Sequence, residues 1–265
     1  MLKRLSILMF ALLTSMLSMA ATHEYVDLGL PSGTLWATCN VGATTKEQYG
    51  TYYAWGETSA KSKYSWANYQ YANGTSNTCQ DIGVNISGTQ YDVAQQEWGD
   101  NWRMPTKDEF DELVTQCTWT QMTENGVKGF TVKGPSGNTI FLPFAGCSYE
   151  GQTFGKGSYT YYWSSEVNTS GTGSTAYALY LKSGQATKTT SIQRRTGTVI
   201  RPVKNEDITV PPTSDEPLTF GLVDLGLSVK WANMNLGGDT PQGLGSYYAW
   251  GETSPKSSYT WTNYK

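Results

Sequence analysis

The chain's one histidine, His23, precedes its first patterned stretch, "EYVDLGLPSGTLWA". Ser–His and Cys–His nucleophiles need an imidazole held in a rigid site. Zinc centres built on histidine need the same. Placed ahead of the fold, His23 argues against both chemistries. The four cysteines, Cys39, Cys79, Cys117 and Cys147, lack the C-x2-C spacing of a metal site. No stretch has the GxxxxGK[ST] form that cradles phosphate. Neither a metal nor a cofactor is expected.

Carboxylates are the remaining candidates for catalysis. A glycosidase needs two of them facing one cleft. Asp108, Glu109, Asp111 and Glu112 crowd the start of a helix, where the helix dipole favours acids and a solvated face is the simpler reading. Glu57 and Glu252 each follow "YYAWG", and each suits a buried carboxylate that accepts backbone hydrogen bonds. Glu57, Glu150 and Glu166 would have to line one pocket for a carbohydrate-active enzyme.

A binding surface is the stronger expectation. The segments "CSYEGQTFGKGSYTYYWSSEVNTSGTG" and "KSGQATKTTSIQRRTG" read as loops between late strands. They carry Tyr149, Phe154, Tyr159, Tyr161, Trp163, Glu166, Asn168, Arg194 and Arg195. Tyrosine among Ser, Gly and Asn combines rigid area with adaptable hydrogen bonding. Strand alternation sends half of these rings inward, and of Tyr162 and Trp163 one is expected inside.

The positioning elements can be read from local signals. Around "MPTKDEFDELVTQC", Thr106 and Glu109 form a capping box behind Pro105. Phe110, Leu113, Val114 and Cys117 then share one helical face. Trp102 would close the core beside the helix start, and Arg103 would pair with a carboxylate or a carbonyl. A short helix is predicted over 91–99, stopped by Gly99. Strands are predicted over 34–41 (Leu35, Ala37 and Cys39 on one face), 52–55, 129–133, 139–144, 161–165, 176–181 and 198–203, with a tight turn at 134–138. Residues 56–89 read as loop. Arg201 reads as a structural pair. Two short helices before a run of mainly antiparallel strands make a loop-rich α+β fold.

The 265 residues also divide along their length. Lys3 and Arg4, the apolar run Leu5–Leu17 and Ser18-Met19-Ala20 have the form of a signal peptide over 1–20. The run is shorter than the roughly 20 residues a spanning helix needs, so no membrane span is expected once the signal is cleaved. Export permits disulfides, and four cysteines allow three pairings. "YYAWGETS" occurs at 52–59 and again at 247–254, and "LWATCNVGA" matches "KWANMNLGG". That match sets Cys39 opposite Met234, an apolar slot that suits an unpaired thiol. The pattern predicts a complete domain over 24–203, a Pro- and acid-rich linker over 204–219, and the opening fragment of a second copy over 220–265. A net charge of −3 with no basic stripe argues against nucleic acid.

The ordered motifs "VDLGLPSGTLWATCNVGA", "YYAWGET", "WGDNWRMPTKDEF", "IFLPFAG", "YYWSS" and "VIRPV" resemble the Fibrobacter succinogenes major paralogous domain family. That resemblance implies a C-type-lectin-like fold, similar to that of the formylglycine-generating enzymes, in exported bacterial proteins with several units per chain. It implies no activity. The enzyme's late cysteine pair has no counterpart after Cys147, and the lectin calcium triplets are missing. The expectation is a non-enzymatic module, secreted, surface-displayed or periplasmic in a bacterium, that binds a glycan or protein ligand. A carbohydrate-active enzyme and a surface-layer or spacer unit are the alternatives.

Overall fold

The helix start that the capping box predicts is where the structure is most tightly tied. A computed structural model describes residues 23–73, 78–99, 101–185, 187–205, 222–223, 231–237 and 245–264. The signal segment 1–20 and residues 206–219 of the linker lie outside the described residues. The chain divides into two units, Met1–Asp207 and Ile208–Lys265.

In the first unit the strands are β1 (Tyr25–Asp27), β2 (Thr34–Ala37), β3 (Thr118–Glu124), β4 (Val127–Lys133), β5 (Thr139–Pro143), β6 (Cys147–Tyr149), β7 (Gln152–Phe154), β8 (Tyr159–Val167), β9 (Thr175–Lys182), β10 (Lys188–Gln193) and β11 (Val203–Asn205). The helices are α1 (Val93–Trp98) and α2 (Lys107–Gln116). The strands pair antiparallel as β1–β2–β11, β3–β4–β5, β10–β9–β8 and β6–β7. The fold class is α+β, with two α-helices and one short 3-10 turn, Trp66–Asn68, among the described residues.

Each helix starts on a side chain that also ties down distant backbone. Asp92 caps α1 by accepting the Ala94 and Gln95 N–H groups on Oδ1, while Oδ2 accepts Gly88 and Met104 N–H, both at 2.8 Å. At α2, Thr106 Oγ1 accepts Glu109 N–H at 3.2 Å, and Glu109 Oε2 accepts Thr106 N–H at 2.8 Å. Arg103 then donates twice to Glu109, at 2.8 and 2.6 Å, and Thr34 Oγ1 donates at 2.9 Å. Trp102 and Pro105 are buried, and the Pro105 carbonyl accepts Ser165 N–H at 2.8 Å. These five motif residues therefore join α2 to β2 and β8. Phe110 and Leu113 are buried, with Val114 and Cys117 partly so.

Two apolar cores flank β8. Tyr162 packs with Trp36, Phe110, Leu142, Phe144 and Leu179. Trp163, its neighbour, packs with Trp55, Ile86, Val93, Met104 and Ala178. Both rings are fully buried, where alternation alone predicts one. The alternation is real, but both faces of β8 are covered at this depth.

Other expectations are corrected. The strand predicted to Val41 ends at Ala37, because the Ala37 and Thr38 carbonyls turn to Arg201 Nη1, both at 2.9 Å. Residues 188–193 form β10 rather than loop, a Thr- and Ile-containing edge paired to β9. Residues 147–154 form a hairpin. His23 is half-buried and stacked on Trp98 at 3.7 Å, so it packs on the fold rather than preceding it. All four cysteines are free thiols, which agrees with the unpaired reading of Cys39 and resolves the pairing left open for the others. Arg201 is buried with no carboxylate: it donates to Asn40 Oδ1 at 2.8 Å, to the two carbonyls above, and to the Phe141 carbonyl at 2.9 Å.

The second unit pairs β12 (Leu222–Val223) with β13 (Trp231–Ala232). Its 247–264 stretch reproduces the hydrogen bonds of 52–69. Lys61 reaches Glu57 at 2.6 Å and the Asn68 carbonyl at 2.6 Å; Lys256 reaches Glu252 at 2.5 Å and the Asn263 carbonyl. Tyr69 donates to the Trp55 carbonyl at 2.8 Å, and Tyr264 to the Trp250 carbonyl at 2.9 Å. Exposure differs: Trp55 is 0% exposed and Trp250 90%.

Candidate functional site

Five of the nine predicted surface residues converge beyond the buried part of β8. Tyr149, Tyr159, Tyr161 and Arg195 line a concavity of about 380 Å³, together with Cys147, Ser191, Ile192 and Gln193. Phe154 backs it, stacked on Tyr149 at 4.5 Å. Strand register explains the grouping. Tyr159 and Tyr161 share a face of β8 with Trp163. Trp163 lies at the covered end of that face, the two tyrosines at the open end. Tyr161 lies opposite Tyr180 of β9, and the two rings stack at 4.9 Å. Tyr159 meets Tyr161 edge-on at 6.0 Å.

The opposite wall is the β6–β7 hairpin and the turn after β10. Glu150 and Gly151 connect β6 to β7 with φ of 49° and 80°, the doubly positive geometry of a two-residue hairpin turn. Arg195 Nη1 donates to Glu150 Oε1 at 2.9 Å, and Nε to Gln193 Oε1 at 3.0 Å. Lys63 holds the other Glu150 oxygen at 3.2 Å. The Arg195 guanidinium lies over Trp66 at 5.6 Å and Tyr149 at 5.9 Å. Gly197 is required behind this turn: a Cβ there would lie 2.6 Å from the Tyr64 ring.

Three of the site's phenols, those of Tyr159, Tyr161 and Tyr180, stay neutral near pH 7. Burial pushes the Tyr159 phenol well up, helped by Cys147, whose Sγ lies 3.9 Å from the phenol oxygen. Burial likewise raises Tyr161, Tyr180 and the Cys147 thiol. The tyrosines therefore offer hydroxyl donors and ring faces rather than charge.

Four predicted residues lie elsewhere. Trp163 is fully buried and its indole N–H donates to the Tyr53 carbonyl at 2.9 Å, so no surface ligand reaches it. Arg194 is 3% exposed. Its guanidinium stacks on Trp55 at 4.5 Å, and Nε donates to Tyr69 Oη at 2.9 Å. Glu166 accepts the Lys107 N–H at 2.7 Å, at the start of α2. Asn168 is one contact removed from the concavity, donating to Ser191 Oγ at 3.1 Å. Conversely, Tyr180, Trp66 and Lys63 belong to the site and went unnoticed. Tyr180 was discoverable, since "AYALYL" alternates and must present one tyrosine on each face.

Each carboxylate named for the paired-carboxylate alternative has its own partners. Glu57 is 3% exposed, held by Lys61 and accepting Gln70 N–H at 2.6 Å. Glu150 is engaged by Arg195 and Lys63, and Glu166 caps α2. Among the described residues, no group of three or more His, Cys, Asp or Glu is placed to hold a metal ion.

A second hollow of about 370 Å³ lies in the 249–264 stretch between Trp250, Tyr259, Trp261 and Tyr264. In the first unit the corresponding rings, Trp55, Tyr64, Trp66 and Tyr69, are covered by Arg194, Gly197 and Arg195. It is thus the counterpart of a packing surface.

Fold and site together define an α+β protein with an aromatic concavity rimmed by cations. No family model, curated protein or solved structure matches the chain. No helix among the described residues is long and apolar enough to cross a membrane.

Proposed function

We propose that this chain is an exported bacterial binding module of C-type-lectin-like fold, secreted, surface-displayed or periplasmic, and that its first unit holds a glycan in the concavity between β6–β7 and β8–β10. The observation that carries this reading is the convergence of Tyr149, Tyr159, Tyr161 and Arg195 from separate segments onto one hollow of about 380 Å³. A hollow of that size takes a few sugar rings. A protein partner of standard affinity needs about 800 Å² of surface on each side. Partly exposed rings supply flat apolar faces for sugar C–H surfaces, and neutral phenols supply hydrogen bonds to hydroxyls.

The test is a glycan array probed with the full chain, followed by calorimetry on any hit. A Tyr161→Ala/Tyr180→Ala double variant should weaken binding by about 30-fold, because it removes a stacked pair of rings at about 1 kcal/mol each. Binding unchanged in that variant, or a blank array, overturns the proposal.

A further inference from the structure

Glu150 sits where its residue type is least at home. Among the described residues two hairpin turns have a non-glycine residue at positive φ, Asn125-Gly126 and Glu150-Gly151. Asparagine is a common choice for that conformation; glutamate is not. Non-glycine residues held in this region persist where surrounding contacts fix them, and they cluster at ligand sites. Here the fixing contacts are two cations. Glu150 places one oxygen on Arg195 at 2.9 Å and the other on Lys63 at 3.2 Å, while its side chain remains 50% exposed. Its carboxylate thus occupies a two-cation seat at the edge of the concavity, open to solvent and to exchange.

The face beside that seat carries no acid. Cross-strand partners share a sheet face. The register sets Lys182 opposite Tyr159 and Lys188 opposite Tyr180. The face that presents Tyr159, Tyr161 and Tyr180 therefore also presents two lysines. Among the residues lining the concavity, Arg195 is the charged one. In a chain of net charge −3, Lys63 and Arg195 share the Glu150 carboxylate at the edge of the hollow, and Lys182 and Lys188 lie in register with its tyrosines. An aromatic box alone would equally suit a quaternary ammonium. The guanidinium in its wall excludes that, because a cationic ligand would be buried against a like charge.

Resting on the glycan-binding reading, we infer that the ligand is an acidic saccharide whose carboxylate takes the place of Glu150 on Arg195, and that Glu150 acts as an internal competitor for that seat. An arginine fork binds a carboxylate in two parallel hydrogen bonds, and the hairpin tip can release Glu150 to Lys63 alone. The competitor sets selectivity: a neutral sugar has no group that repays the broken Arg195–Glu150 pair, whereas a uronate does.

The experiment compares a galacturonic acid tetrasaccharide with its neutral galactose counterpart by calorimetry on the full chain. The acidic sugar should bind at least tenfold more tightly at low salt, and this advantage should shrink as salt is raised. Glu150→Gln should tighten binding of the acidic sugar by about threefold to tenfold, since it removes a charged competitor. Arg195→Gln should abolish the acidic preference. Circular dichroism of each variant checks the fold, and Arg195→Lys, which keeps the charge but not the fork, should restore part of the preference. Equal binding of the two sugars, or weaker acidic binding in Glu150→Gln, overturns this inference and leaves glycan binding standing. If neither sugar binds and a wider array is blank, glycan binding itself falls.

Discussion

Replacing Arg201 with methionine should unfold the first unit far more readily than any surface change, and the structure sets the size of the effect. Arg201 is 0% exposed and donates to four acceptors: Asn40 Oδ1, the Ala37 and Thr38 carbonyls, and the Phe141 carbonyl. Burial pushes its pKa down, yet an arginine remains charged at neutral pH. Methionine fills most of the volume but donates nothing. Three buried acceptors and the partly buried Thr38 carbonyl lose their partner, at about 1–3 kcal/mol for each buried one. Set against this is relief from burying a guanidinium, worth several kcal/mol. The net loss should be about 3–5 kcal/mol, close to that for breaking a buried pair. Urea titration read by tryptophan emission would measure it, since Trp36, Trp55 and Trp163 are all fully buried. At a slope of about 2 kcal/mol per molar urea, the midpoint should fall by about 2 M with the slope unchanged. Arg201→Lys should recover less than half, because one ammonium cannot span four acceptors drawn from the end of β2, the turn after it, and β5. A midpoint shift under about 0.5 M at equal slope would mean that water satisfies those carbonyls, and the reasoning would be wrong.

Two further outcomes follow from the capping network and the second unit. Burial raises the Glu109 pKa, but the Arg103 fork, the Thr106 N–H and Thr34 together outweigh it and hold the carboxyl below its ordinary value; its stabilisation is therefore present above the unfolded pKa of about 4.3 and lost as pH falls through the lower folded value. Thermal melts from neutral to acid pH should show Glu109→Gln less stable at neutrality and less steeply acid-sensitive below that point, and parallel curves would refute the assignment. In the second unit Trp250 and Trp261 are 90% and 91% exposed, so a Trp250→Phe/Trp261→Phe double variant should lose most of the acrylamide-quenchable, red-shifted emission, and unchanged quenching would show that those rings are covered.

What could be read in advance divides by the range of the interactions involved. The α2 start was legible because every group that makes it lies within a few residues: Thr106, Glu109 and Pro105 satisfy and orient their own backbone. For Arg103 the sequence left a carboxylate and a carbonyl open, and the structure gives it Glu109, only six residues away. β10 was hidden because "KTTSIQ" alternates weakly and draws its order from pairing with β9. The breadth of the burial around β8 was hidden because period-2 alternation assigns a residue to a face, and only the rest of the molecule decides whether that face is covered. Arg194 and Arg195, adjacent in sequence, show how local a reversal can be: one guanidinium stacks inside on Trp55, the other lines the concavity.

The two occurrences of "YYAWGETS" carry this argument further. Their local hydrogen bonds agree partner for partner, Lys to Glu and to an Asn carbonyl, Tyr to a Trp carbonyl, because each bond closes within 14 residues of its origin. Their exposures do not agree, because exposure is set by the late strands. Arg194, Arg195 and Gly197 cover the rings at 55–69 and lie more than a hundred residues away. The same late turn that covers Trp55 with Arg194 turns Arg195 out to Glu150 and the tyrosines. Packing of the early aromatic motif and construction of the concavity are therefore one structural event. A substitution that lifts this turn off Trp55, such as Arg194→Ala, removes the ring cover and the Arg195 seat together.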